Sequence, residues 1–302
     1  MIKRYGNKLA VDNLSLSINK GEIIGLLGPN GAGKTTFINS IIGITKIQSG
    51  EVMIFGRDIK KDPNYIKKRI GLVPQNLALY NDMTAIENVS FFATIYGLKG
   101  SELKKRVQDA LLFTNLWHRR SEYPGEYSGG MKRRLNIACS IVHKPELLFL
   151  DEPTVGIDPQ SRNHILESVR KLNESGVTII YTSHYMEEVE SLCQKVVIMD
   201  NGRLIAEGSK DELKNFVQKD SIVKITVSNP YYSFVEEVSK ISGVKEVDIQ
   251  GSILRVIMDS NMTISKLINT IDEMGTSISK ITMEEVTLED VFLALTGKIL
   301  RD

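Results

Sequence analysis

A chain of 302 residues is long enough for two compact domains, or for one large domain with an appendage. Its 38 Lys and Arg against 37 Asp and Glu leave a net charge of +1, so bulk charge gives no argument for a polyanion-binding surface. Two cysteines, Cys139 and Cys193, sit far apart without metal-ligand spacing and read as small core residues of a reducing compartment.

The first two thirds alternate short apolar runs with helical patterns, which predicts a mainly parallel sheet covered by helices. Ile23–Leu27 reads as a buried strand. It leads straight into Gly28-Pro29-Asn30-Gly31-Ala32-Gly33-Lys34-Thr35-Thr36, which fits G-x-x-x-x-G-K-[ST] and precedes a helix. Glycines there let backbone N–H groups close around phosphates, and the helix N-terminus adds its positive end. Lys34 is placed to neutralise the β and γ oxygens of ATP, and the Thr35 hydroxyl to ligate Mg²⁺. After Ile70–Val73 and Pro74, Gln75 is a candidate ligand for Mg²⁺ or water, although a lone Gln in a loop means little.

From about residue 77 to 142 only helical patterns occur, which predicts a helical insertion in the α/β core. Thr84-Ala85-Ile86-Glu87 is a capping box. Further on, Ser128-Gly129-Gly130-Met131 opens an amphipathic helix whose apolar face carries Met131, Leu135, Ala138 and Val142. Such a terminus is a second anion-binding end, or simply a glycine turn with Ser128 as cap. Lys132-Arg133-Arg134 is a weak nucleic-acid signal that a solvated helix face explains better.

Leu147–Leu150 is a second apolar strand, and it delivers Asp151 and Glu152 at its C-terminal end, where open α/β sheets bind ligands. We assign Asp151 to metal and Glu152 to the general base. Asp158-Pro159 starts a helix that Gly176 ends. Strand Val177–Tyr181 leads to His184, a candidate γ-phosphate contact, though single histidines are more often structural. Asn201-Gly202 joins Val196–Met199 to Arg203–Ala206 as a hairpin.

Beyond residue 217 the pattern changes. Ile222–Val227, Lys245–Gln250, Ile253–Met258 and Ser277–Met283 are strand-like, and Tyr232–Ile241 and Ile264–Met274 helical. This β-α-β-β-α-β order predicts a small α+β ferredoxin-like domain over 218–302, with a last helix at Leu288–Leu295. No apolar run reaches the roughly 20 residues that cross a bilayer, and no signal peptide follows Lys3 and Arg4. The expectation is a cytoplasmic chain that needs another polypeptide to span any membrane it serves.

Together these segments resemble the ATP-binding-cassette (ABC) family over about residues 1–217. Gly28–Thr36 looks like its Walker A loop, Leu147–Glu152 its Walker B strand, and Ser128–Met131 its signature, with Met131 where Gln is common. Gln75 matches the Q-loop, Gly156-Ile157-Asp158 the D-loop, His184 the switch histidine, and Tyr5 the adenine-stacking aromatic. The resemblance implies a P-loop NTPase core with an antiparallel β-subdomain and a helical insertion. It also implies a head-to-tail homodimer or heterodimer, in which Ser128 and Gly130 of one cassette close on the ATP of the other.

The Tyr127–Leu135 run, Met186–Cys193 and Val286–Phe292 are similar to bacterial exporters of the drug-resistance and ABC-2 type. In that group the transmembrane permease is usually a separate subunit, and the ATPase attaches through it to the inner face of the membrane. Only Met1 and Ile2 precede Lys3, where the family usually has a strand of several residues. Either the start codon is placed late, or the β-subdomain lacks part of an edge strand. The rival is a soluble cassette ATPase acting on ribosomes or nucleic acid, but the chain has neither a second cassette nor a long coiled-coil insertion. No nucleic-acid partner is expected.

Overall fold

The computed structural model describes residues 1–217, 220–228, 234–259, 262–284 and 286–297. They form two compact units, one built on Met1–Lys210 and the other on Asp211–Ala294.

The first unit opens with β1 (Lys3–Tyr5) and β2 (Lys8–Val11), an antiparallel hairpin. Strand β3 (Ile23–Leu27) leads through the glycine-rich loop into α1 (Lys34–Ile41). A second small hairpin, β4 (Met53–Ile54) with β5 (Arg57–Asp58), precedes α2 (Pro63–Lys67) and β6 (Ile70–Val73). The expected β-subdomain therefore consists of short pieces, tied by an Ile2–Ser49 bridge and by Gln48 bonding the backbone of Arg4. The helical insertion holds α3 (Ala85–Ile95), α4 (Gly100–Phe113) and α5 (Gly129–Ile141). The chain returns through β7 (Leu147–Asp151), α6 (Pro159–Glu174), β8 (Thr178–Thr182), α7 (Met186–Leu192), β9 (Lys195–Asp200) and β10 (Arg203–Ser209).

The main sheet has the order β10-β9-β3-β8-β7-β6, parallel except for the β9–β10 hairpin. Every residue of β3, β7 and β8 is buried, as their unbroken apolar runs require of strands covered on both faces. Phe149 and Ile24, each 0% exposed, illustrate side chains whose burial contributes about 1.5–3 kcal/mol apiece. The order matters for function. It sets the C-terminal ends of β3, β8, β7 and β6 side by side, although the whole helical insertion separates β6 from β7 in the chain.

Local chemistry starts the helices where it was expected. Thr84 and Glu87 form the capping box of α3, and Asp158 caps α6 by accepting from the Ser161 amide. Buried Asn88 then straps the preceding loop, donating to the carbonyls of Tyr80, Met83 and Thr84 and accepting from the Tyr80 amide. Cys139 and Cys193 are free and buried, and burial pushes both thiols up, so neither is poised to react. Among the described residues no helix is long and apolar enough to cross a membrane.

The second unit starts within α8 (Lys210–Val217), so the division falls after Lys210 rather than after residue 217 as the change of pattern suggests. Its elements are β11 (Asp220–Val227), α9 (Phe234–Ser239), β12 (Val244–Gln250), β13 (Ile253–Asp259), α10 (Ile264–Glu273), β14 (Ile278–Glu284) and α11 (Leu288–Thr296). The sheet order β12-β13-β11-β14, antiparallel throughout, is that of a ferredoxin-like sandwich. Alternation puts Val223, Ile225 and Val227 with Leu254, Val256 and Met258 on the buried face, against Phe234, Val238, Leu267 and Ile271. Lys224 and Arg255 pair with Glu284. The start of the predicted Tyr232–Ile241 helix lies outside the described residues.

A ring stack and two hydrogen-bond contacts hold the end of α3 against the core. The Tyr96 ring stacks on His143 with centroids 3.5 Å apart and planes 4° from parallel. His143 Nε2 lies 2.9 Å from the Ile70 carbonyl, which Tyr96 Oη also approaches at 3.3 Å. Burial pushes the His143 imidazole down from 6.5 to about 4. Protonation is then more favourable in the unfolded chain, so this contribution is intact above pH 6.5 and is lost as pH falls towards 4. Denaturation midpoints followed over that window should show a loss of up to about 3 kcal/mol. His143→Phe, which keeps a ring against Tyr96, should flatten that dependence.

Candidate functional site

The phosphate loop is shaped by its neighbours as well as by its own sequence. Gly33 has φ 102°, a left-handed conformation that favours glycine, and a Cβ there would strike the Ala10 carbonyl of β2. The Gly202 amide of the β9–β10 turn donates to Ala32 O at 2.8 Å, and the Asp12 amide donates back to Gly202 O. The loop is thus seated between two hairpins. Lys34 is buried, and its Nζ donates to Gly28 O at 2.7 Å. Thr35, Asn30 and Gly31 are exposed.

The acids stand where β7 ends. Asp151, 4% exposed, accepts from Thr35 Oγ1 at 3.0 Å and from Thr182 Oγ1 at 2.8 Å. Glu152, 6% exposed, turns out of the strand at φ 48°, and its amide donates to Thr182 Oγ1 at 2.9 Å. Its carboxylate meets three groups from three other strand ends. Lys34 Nζ is 3.5 Å away, Gln75 Nε2 donates at 2.9 Å, and His184 Nδ1 stands at 3.7 Å. The structure therefore brings Lys34, Thr35, Gln75, Asp151, Glu152 and His184 into one cluster.

Two polar groups of this neighbourhood escaped the sequence reading. Thr182 orders both acids, and the signal was its place opposite Asp151 in register, visible only once β7 and β8 are paired. Glu188 is 2% exposed and accepts from Thr154, Tyr181 and Ser183, the last adjacent to His184. Arg162 Nε stands 3.5 Å from the same carboxylate, so a cation and three hydroxyl donors surround it.

Ser128 caps α5, accepting from the Met131 amide at 3.3 Å, and Met131 Sδ accepts from Arg119. A Cβ on Gly130 would collide with Ser161 of α6, whereas Gly129 faces open space apart from Ile157 at 3.8 Å. Gly130 is thus required for packing within the chain. Gly156 has φ 69° in the turn that leads through Ile157 to the Asp158 cap. Lys132-Arg133-Arg134 is corrected here, because it is not simply a solvated face. Arg133 is 5% exposed and binds the carbonyls of Pro74 and Gln75, and Arg134 binds that of Thr114. An arginine's aliphatic stem and five donors let it be buried when carbonyls surround it.

Tyr5 lies on β1, 49% exposed, with its ring under the Lys3 ammonium at 4.6 Å. Pro29 and Thr36 complete the loop segment at half-buried positions. A cavity of about 660 Å³ lies elsewhere, against the first residues of β7 and β8 (Leu147, Thr178) and the β4–β5 hairpin. The acids occupy the opposite strand ends, and we locate the chemistry there, where the titratable groups converge.

Comparison with known proteins shows which family the chain resembles along its length. Residues 11–155 match the family described as ABC transporter, and residues 208–296 match the C-terminal domain of DrrA1-3-like ATP-binding proteins. The chain is 44% identical to the linearmycin resistance ATP-binding protein LnrL of Bacillus subtilis, covering 99% of this chain and 97% of that one. It is 35% identical to the daunorubicin resistance ATP-binding protein DrrA2 of Streptomyces coeruleorubidus, covering 98% and 93%. It is 37% identical to a Nod factor export ATP-binding protein I of Burkholderia thailandensis, covering 99% and 96%.

Among solved structures, an ATP-binding subunit of an ABC transporter superposes with TM-score 0.65 at 30% identity, over 71% of this chain and 90% of that one. A dimeric ATP-binding cassette in a post-hydrolysis state with ADP and phosphate gives 0.63 at 27% identity, over 69% and 94%. A family match over residues 11–155 and a 44% identical relative covered along nearly its whole length place the chain in the ABC family, as the ATP-binding, ATP-hydrolysing subunit of a transporter.

Proposed function

We propose that this chain powers export through a separate transmembrane permease, at composite sites shared by two cassettes. The observation that carries the chemistry is the convergence of Lys34, Gln75 and His184 on the buried Glu152 carboxylate. ATP phosphates entering the loop offer Lys34 a stronger partner than the Gly28 carbonyl and Glu152. Glu152 then takes a proton from the attacking water, while Gln75 orients that water. The water oxygen bonds to the γ-phosphorus and the bond to the bridging oxygen breaks, leaving ADP and phosphate. His184 contacts the γ-phosphate, and Tyr5 stacks on adenine.

The Thr35 hydroxyl and the Asp151 carboxylate, already 3.0 Å apart, form with the Gln75 amide oxygen a set of hard oxygen donors suited to Mg²⁺. Bound there with ATP, the ion would offset charge on the β- and γ-phosphates.

Ser128, Gly129, Gly130 and Met131, with the Gly156–Asp158 turn, complete the site of a second copy or of a related cassette. Tighter binding of ATP to the closed pair supplies the work. The names of the relatives, two drug-resistance proteins and a Nod factor exporter, support export as the direction. A groove of about 410 Å³ between the helical insertion and the core is lined by Ile42, Ile44, Lys68, Leu72, Ile95 and Tyr96, with Ile44 and Ile95 each 62% exposed. That apolar floor fits a short cytoplasmic helix of the permease. The chain would then sit in the cytoplasm, held to the inner membrane face by that contact.

Glu152→Gln should retain ATP binding, reduce turnover at least about 100-fold and accumulate a closed dimer detectable by light scattering. Hydrolysis at the parental rate would remove the base assignment. Lys34→Ala should weaken ATP binding at least about tenfold in a direct titration, and unchanged affinity would count against the loop. Ile95→Asp should reduce co-purification with the membrane subunit; undiminished recovery would place the permease contact elsewhere.

A further inference from the structure

Helix α5 is tied to the chain around β6 at two places. Near its C-terminal end, Ser140 Oγ donates to Leu72 O at 2.6 Å. Near its N-terminal end, the Arg133 guanidinium spans two consecutive carbonyls, Nη1 to Pro74 O and Nη2 to Gln75 O, each at 2.8 Å. Gln75 in turn donates from Nε2 to Glu152 at 2.9 Å. The same helix begins at the Ser128-capped terminus of Gly129, Gly130 and Met131.

A buried guanidinium is expensive to place, and removing the acceptors around it costs more than a surface contact. Its planar fork can hold two carbonyls at once and fix their relative direction, which a lysine ammonium cannot do from one point. Burial pushes the Arg133 guanidinium down, and the nearby Asp151 carboxylate offsets only part of that. Loop residues 74 and 75 are therefore gripped by a side chain on a rigid helix, less than two turns from that helix's exposed end.

We infer that Arg133 is a positioning residue that links engagement of the Ser128–Met131 terminus to the orientation of Gln75, and through Gln75 to Glu152. The inference rests on the proposed roles of those residues. It deepens them by making the helix terminus and the hydrolytic site of one chain mechanically continuous. Whatever moves α5 moves the backbone that carries Gln75.

A double-mutant cycle on the full chain tests this. Arg133→Met should lower kcat about tenfold or more while KM for ATP changes by less than about threefold. In the Gln75→Ala background the same change should lower kcat no further. Arg133→Lys should give an intermediate loss, and it carries the cycle if the Met variant does not fold. Full multiplicative effects of Arg133 and Gln75, or an unchanged kcat in the Arg133 variants, would overturn the link while leaving the site itself standing. If Gln75→Ala alone leaves kcat unchanged, the proposed hydrolytic site fails, and the link falls with it.

Discussion

The Glu152 carboxylate, 6% exposed, meets an ammonium from the first residue of α1, an amide from the loop after β6 and an imidazole from the segment after β8. A carboxylate so far from solvent is tolerable only if charge and donors surround it. That requirement ties together elements far apart in the chain. It also constrains the backbone, because Glu152 leaves the strand at φ 48°, a conformation an L-residue adopts at a cost of about 1–3 kcal/mol. The contact of its amide with Thr182 offsets part of that cost. The same threonine orders Asp151, so one hydroxyl sets the directions of two neighbouring acids.

The sheet order is the reason these groups meet. Parallel strands all deliver their C-terminal ends to the same edge, and β3-β8-β7-β6 are consecutive there. Each strand end contributes one polar group to the cluster around Glu152 and Asp151. The helices hold those parts in place from outside. Arg133 and Ser140 of α5 fasten the chain around β6, and Glu188 of α7 accepts from hydroxyls that flank both the acids and His184. The second unit has its own core and its own sheet.

Much of this was legible in advance. The loop from Gly28 to Thr36, the Asp151-Glu152 pair, the Thr84–Glu87 capping box and the Asp158 cap are local, since each depends on neighbours in sequence and on the strand or helix that carries it. Thr84 and Asp158 cap where their side chains can reach an amide three residues on, and both do so. In the second unit β11 and β13 alternate between a buried and an open face, a period-2 pattern that is visible in the sequence, whereas β12 and β14 are marked only by short apolar or β-branched runs. Arg133 was misread for the converse reason. Its position relative to Met131 and Leu135 places it off the apolar stripe, and nothing local says that a loop of carbonyls waits on that side.

Residues within a few positions of one another set the glycine-rich loop, the acid pair at the end of β7, the Asn201-Gly202 turn and the Thr84 and Asp158 caps, so these were readable along the chain. Only the tertiary structure decided that Gln75, Lys34 and His184 share one carboxylate, that Gly130 must make room for Ser161, and that Arg133 is buried. Those facts depend on strand order and helix packing, which bring together residues whose separation along the chain carries no trace of the contact.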